Sequence, residues 1–242
     1  MFAFTTDNWR EQQYPLDLWI EDCVGKFDQV SLYYIGDRKK IFEGIRTDYS
    51  NLVLRGIGEP DIEAAPHSSD FCLEYKKRAA SFLQTDWIMM LDIDEFVNTM
   101  PSLKYLNHAA AIQIFIHVLI GDIYHEIDPY GSNKDPDGNV ITNVGAVRWP
   151  RLARQGTEIG DWGFRNCLMA PHPVIDVYHT TLLRNPKEVT QRTWLWKRNV
   201  QFNPRRIKEF WPGVNMLPTN NEKLPRILVA HSDRFNFMEA KA

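Results

Sequence analysis

Cysteine is scarce. Cys23, Cys72 and Cys167 are the only three in 242 residues, far apart and without a C-x-x-C pair. That spacing excludes a disulfide framework. It fits free, mostly buried thiols in a reducing compartment, so a cytoplasmic location is expected. Long hydrophobic runs are missing too, and none approaches the roughly 20 residues of a membrane-spanning helix. No basic region followed by a long apolar core opens the sequence, so no signal peptide is expected. Neither sign of charge dominates. The 28 Lys and Arg stand against 31 Asp and Glu, a net charge of −3, which implies no general affinity for nucleic acid. Internal repeats and low-complexity segments are also absent.

What is present is an ordinary globular composition, 44% hydrophobic and 24% charged. The length suits one large α/β domain or two small ones. The most informative stretch is Asp86-Trp87-Ile88-Met89-Met90-Leu91-Asp92-Ile93-Asp94-Glu95-Phe96-Val97. Trp87 to Leu91 is a continuous apolar run, as expected of a strand buried on both faces. Asp92, Asp94 and Glu95 follow at its C-terminal end, where open α/β sheets bind ligands. Two Asp separated by one residue can turn oxygens toward one hard cation, and Mg²⁺ or Mn²⁺ suit such ligands. A solvated acidic turn is the plainer reading of any D-x-D; the apolar strand before this one favours a site.

The elements before that stretch alternate. Met1 to Thr6 predicts a strand, Pro15 to Phe27 a helix, Val30 to Ile35 a strand, Lys39 to Arg46 a short helix and Leu52 to Leu54 a strand. After a Gly- and Pro-containing loop, Ser69-Asp70 caps a helix to about Leu83. Phe71, Tyr75, Ala79 and Phe82 share one face of it. Lys76, Lys77 and Arg78 read as solvated, though one could reach a diphosphate. Beyond Asp94 the pattern predicts strands over 109–120, 142–148, 167–170 and 173–178, with a loop from Trp149 to Gly163. Asp128 to Asn139 resembles a calcium loop for four residues only and reads as a turn. Helices are expected over 186–201 and 204–211. Eight basic residues and one acidic residue lie between Arg184 and Lys208. They fit an anionic ligand, an anionic membrane face or a solvated helix.

Ser69-Asp70-Phe71-Cys72-Leu73-Glu74-Tyr75, then Asp86-Trp87-Ile88 and Leu91-Asp92-Ile93-Asp94-Glu95-Phe96, resemble GT-A-type glycosyltransferases, nearest to families 2 and 92. The D-x-D-E-F ending, with Trp opening the strand, is more specific than a bare D-x-D. The resemblance covers about residues 1–120 and is weak after that. It implies an α/β fold with a Rossmann-like, mostly parallel central sheet flanked by helices, in one domain. Residues 1–97 would form the nucleotide-sugar donor half, and 98–242 the acceptor half with C-terminal helices.

The resemblance also implies roles. The first-strand tip, Thr6 and Asp7, would contact the nucleotide, and Asp37 after the second strand the base or ribose. Here Thr-Thr-Asp-Asn replaces an Asn-Glu tip, and Gly36-Asp37 replaces an acidic pair. Asp92 and Asp94 would hold the ribose and, with His179 from Tyr178-His179, a Mn²⁺ or Mg²⁺ ion on the diphosphate. The implied reaction moves a sugar, expected from a UDP-sugar, to a hydroxyl of a glycan, lipid or protein, with inversion. Inversion needs a carboxylate base. Asp161 is the first candidate and Glu158 the second, both near Trp162, whose ring suits the apolar face of a sugar. Peripheral membrane contact stays open.

Two other classes compete. A non-catalytic sugar- or nucleotide-binding module could keep the same fold. A haloacid-dehalogenase-like phosphatase also uses D-x-D after an apolar strand, but on the first strand, whereas this motif follows about the fourth.

Overall fold

The computed structural model describes residues 1–6, 9–10, 13–58, 68–103, 111–128, 148–183 and 216–236. Asp7, residues 129–147 with most of the strand expected over 142–148, and the basic stretch between Arg184 and Lys208 lie outside them, as do the two helices expected there. Among the described residues no helix is long and apolar enough to cross a membrane.

The first half follows the expected order. Strand β1 (Phe2–Thr6), helix α1 (Leu16–Lys26), strand β2 (Val30–Ile35), the one-turn helix α2 (Arg38–Ile41) and strand β3 (Leu52–Ile57) come first. Helix α3 (Ser68–Ser81) then leads to β4 (Trp87–Met89). The strands β1, β2 and β3 pair in parallel, in spatial order β1-β2-β3. A parallel bridge between Phe2 and Met90, with the Leu91 N–H donating to the Phe2 carbonyl at 3.3 Å, sets the chain after β4 beside β1.

Strand alternation assigns the faces. Ala3, Val30, Leu32, Met89 and Leu91 pack with Leu16, Trp19, Ile20 and Cys23 of α1. Phe2, Tyr33, Ile35, Ile88 and Met90 pack with Tyr75, Ala79 and Leu83 near α3. Tyr33 stacks on Tyr75 with centroids 5.5 Å apart, and the Ser31 hydroxyl donates to the Ala79 carbonyl at 2.6 Å. Asp92 continues the Ile88–Met90 alternation, so it emerges on the α3 side.

The second half departs from a mostly parallel sheet. It contributes β5 (Glu95–Val97), β6 (Ala111–Ile120), β7 (Asp122–Ile127), β8 (Arg148–Arg154), β9 (Met169–Leu182) and β10 (Met216–Pro218). Together with β4 these form a seven-stranded sheet in the order β10-β7-β6-β8-β4, with β9 between β6 and β5. All its pairings are antiparallel except β6 with β9. The fold is therefore mixed α/β: a parallel three-stranded sheet and a larger, mainly antiparallel one. The reason is local. Parallel neighbours need a crossover of a dozen or more residues. Between β6 and β7 the chain has only Gly121, at φ 77°, a left-handed value that glycine adopts without strain. Helix α4 (Arg226–Ala230) and two 3-10 turns, Asn221–Lys223 and Ser232–Phe235, close the described chain.

Two expectations in this half are corrected. Trp149 to Arg154 is strand, not loop, and in place of the two strands expected over 167–170 and 173–178 there is one long strand, Met169–Leu182. Both carry prolines that argue against strand in a sequence. All three prolines sit at register shifts, where the ladder is already interrupted. Pro150 opposes Gln113 at a shift beside Ile112, and Pro171 and Pro173 lie at another between Ile112 and Ile114.

Candidate active site

The turn after β4 is held from three sides. The Met90 N–H donates to the Arg151 carbonyl at 2.8 Å, fixing it to β8. The Asp92 N–H donates to Glu95 Oε2 at 2.8 Å, and the Glu95 N–H returns a bond to the Asp92 carbonyl at 3.0 Å. Thr180 donates both its N–H and its hydroxyl to the Asp94 carbonyl, at 2.8 and 3.0 Å. Glu95 directly opposes His179 across the β5–β9 ladder. The spacing D-x-D-E thus becomes a rigid turn with three carboxylates converging near one end of β4.

Each carboxylate meets a cationic group. Lys76 Nζ lies 3.0 Å from Asp92 Oδ1, and Arg151 Nη2 lies 3.7 Å from Asp92 Oδ2. Arg151 also donates to both Glu95 oxygens, at 3.1 and 3.3 Å. His179 Nε2 lies 3.2 Å from Asp94 Oδ2. Burial works to raise the Asp92 pKa, but the charges of Lys76 and Arg151 outweigh it and hold the carboxyl well below its usual range. Burial, with Asp92 nearby, pushes Glu95 up despite Arg151. Burial would lower His179, yet Asp94, Glu95 and Asp92 hold its pKa above the ordinary value.

Two of these residues were not legible as site residues. Lys76 reads as a solvated helix position, yet it is only 4% exposed. Its aliphatic stem is covered and its ammonium turned inward to Asp92. Arg151 falls in a stretch that reads as loop and is 0% exposed. It is the extra residue at a bulge, since Leu152 opposes Ile112 while Pro150 opposes the next residue, Gln113. Bulges re-aim side chains, and this one turns the guanidinium into the carboxylate cluster. The Arg151 Nε is buried without a hydrogen-bond partner among the described residues.

His179 Nε2 and Asp94 Oδ2, 3.2 Å apart, stand at ion-pair and hydrogen-bond distance from each other. Asp92 is turned to Lys76 and Arg151, and among the described residues no group of three His, Cys, Asp or Glu is arranged to hold a metal. Mg²⁺ sites commonly use one or two protein carboxylates and take the rest from phosphates and water.

The other expected residues take several positions. Thr6, 8% exposed, ends β1 opposite Ile35 of β2. Asp37 follows β2 at the same edge, and its carboxylate caps α2 by accepting from the Lys39 N–H at 2.8 Å. Asp161 is linked to the cluster through its backbone, because Lys76 Nζ donates to the Asp161 carbonyl at 3.2 Å. The Asp161 carboxylate meets Arg165 at 3.2 Å through Oδ2, and its Oδ1 is buried with no partner among the described residues. Glu158 is exposed and accepts from Asn166 Nδ2. The hairpin bearing both is fixed by a bridge between Ile159 and Phe164 and by the Phe164 N–H donating to the Pro150 carbonyl at 2.7 Å. Trp162 at its tip meets Trp149, centroids 5.1 Å apart and rings tilted by 36°. Arg151 lies over the other indole, 5.4 Å from the Trp149 centroid.

No protein-family model matches this chain, and no curated protein matches it. Among solved structures it is similar to the crystal structure of S. aureus TarS 1–349. That likeness covers 87% of this chain and 69% of the other, at 10% identity and a TM-score of 0.39.

Proposed function

We propose that this chain is a metal-dependent glycosyltransferase that moves a sugar from a nucleotide-sugar, expected to be a UDP-sugar, to an acceptor hydroxyl with inversion. The observation that carries the reading is the Asp94–His179 pair at 3.2 Å, beside an Asp92 carboxylate gripped by Lys76. It lies past the end of β4, on the sheet edge that also carries Thr6 and Asp37. The donor half would be about residues 1–97 and the acceptor half the remainder.

In this reading Thr6, Asp7 and Asp37 contact the nucleotide, and Asp92 the ribose. Asp94 and His179 would hold Mn²⁺ or Mg²⁺, and the ion, when bound, would supply neutralisation of the charge on the leaving phosphate. The acceptor oxygen bonds to the anomeric carbon, and the bond from that carbon to the β-phosphate oxygen breaks with its electron pair staying on the phosphate. The hydroxyl proton passes to a carboxylate. Asp161 is the proposed base, because Lys76 ties its backbone to Asp92. Glu158, exposed and held by Asn166, is the second candidate.

A thermal-shift panel tests this reading, with nucleoside diphosphates and nucleotide-sugars each measured with and without Mn²⁺. A ligand that binds only the folded state must raise the melting temperature. A manganese-dependent rise with one base is expected. A flat panel would instead favour a non-catalytic module.

A further inference from the structure

We propose that Trp149 and Trp162 form the floor of a carbohydrate subsite that seats an oligosaccharide acceptor. The inference rests on the transfer reading above for the word acceptor; the sugar-binding surface itself rests on the hairpin.

Trp162 is 61% exposed, the only exposed tryptophan among the described residues. An indole left in water on a loose loop would carry little meaning. This one stands on a tightly held turn. The Gly160 N–H donates to the Gly163 carbonyl at 2.8 Å, and Ile159 bridges Phe164. Gly163 approaches β8 so closely that a Cβ there would fall 2.5 Å from the Pro150 carbonyl oxygen. The ring therefore has a fixed address, beside the half-buried Trp149.

That address is informative. Ile88 and Met89 of β4 oppose Ala153 and Leu152 of β8. Continuing the register past Met90 and Arg151 brings the Trp149 end of β8 alongside Asp92. On the other side of β4 lies β1, followed by β2 and β3. Thr6 and Asp37, the expected nucleotide contacts, belong to that other side. A donor reaching from β2 toward Asp92 would point its sugar at the indole pair, so the pair faces what the sugar is delivered to.

The chemistry favours a carbohydrate over a lipid chain. Pyranose rings offer an apolar C–H face to an aromatic ring and hydroxyls at the rim. Here the rim is Asp161, Arg165 and Glu158, charged groups that hydrogen-bond hydroxyls but penalise a long hydrocarbon.

The test uses the whole chain. Wild type and Trp162→Ala are applied to an array of immobilised glycans, and the hits are titrated as free oligosaccharides by tryptophan fluorescence. Because Trp162 is exposed, the substitution spares the core. Saturable quenching is expected in wild type, weakened about tenfold or more in Trp162→Ala, while the nucleoside-diphosphate thermal shift is unchanged. No glycan bound, or binding indifferent to Trp162, overturns the subsite. Loss of the nucleotide shift in Trp162→Ala also overturns it and makes the indole a base platform instead. Quenching by sugars with a flat nucleotide panel would keep the subsite and reject sugar transfer.

Discussion

His179 Nε2 stands 3.2 Å from Asp94 Oδ2: Asp94 is the turn residue just before Glu95, which pairs with His179 across the β5–β9 ladder. Thr180, next to His179, fixes the Asp94 carbonyl with two hydrogen bonds. The pair is thus pre-set by backbone on both sides. Asp94→Asn keeps the shape and removes the charge, so it is expected to abolish the manganese-dependent thermal shift. His179→Ala should weaken manganese affinity by at least about tenfold, since even outer-shell partners are worth that much. Titration of Mn²⁺ with each variant measures both. Unchanged affinity in the two would remove the metal from the proposed site.

Arg151 and Glu95 are buried together, at 1% and 2% side-chain exposure. Removing one member strands a charge, at a cost of about 3–5 kcal/mol; removing both is often near neutral. Arg151→Met alone should lower stability by about that amount in urea unfolding. Adding Glu95→Gln should recover much of the loss. If the double variant is as unstable as the sum of the singles, the two groups do not act as a pair.

His117 of β6 sits between two carboxylates. Its Nδ1 meets Glu126 of β7 at 2.5 Å and its Nε2 meets Asp176 of β9 at 3.2 Å. Tyr178 stacks on the ring, and Lys223 also reaches Asp176, at 3.4 Å. Burial would lower the His117 pKa, but the hydrogen bonds to Asp176 and Glu126 raise it to about 9. The folded value exceeds the unfolded one of about 6.5. The stabilisation is therefore complete below about pH 6.5 and is lost as pH rises through about 9. It amounts to about 2–3 kcal/mol. Unfolding free energy measured from pH 6 to 10 should fall more steeply in wild type than in His117→Gln. Parallel profiles would show that the clamp does not titrate.

Gly163 is a steric requirement. A methyl group there meets backbone, not a movable side chain. Gly163→Ala should cost about 1–3 kcal/mol and displace Trp162, lowering tryptophan-dependent sugar binding along with melting temperature. Gly156→Ala is a control of a different kind, since its neighbourhood is open and only its φ of 89° resists a side chain. It should destabilise without moving Trp162.

Much of the first half of the chain follows from local signals alone. Apolar runs of strand length alternate with helical periodicity from Met1 to Leu91, so β1, α1, β2, α3 and β4 are readable one by one. The D-x-D-E motif marks its own turn, because carboxylates directly after a buried strand have few other places to go. Tertiary structure decided what surrounds them. Lys76 looks like any helix-surface lysine until the neighbouring Asp92 and the Asp161 carbonyl are brought to its ammonium from 16 and 85 residues away. Arg151 becomes a site residue only because a bulge beside Pro150 turns it inward, and neither bulge nor register is encoded locally. The antiparallel second sheet depends on which strands meet, a long-range choice that periodicity does not carry. The sequence by itself determined where the carboxylates lie and on which strand ends; only the packing of β8, β9 and α3 around them supplied the opposing charges and the displayed indole.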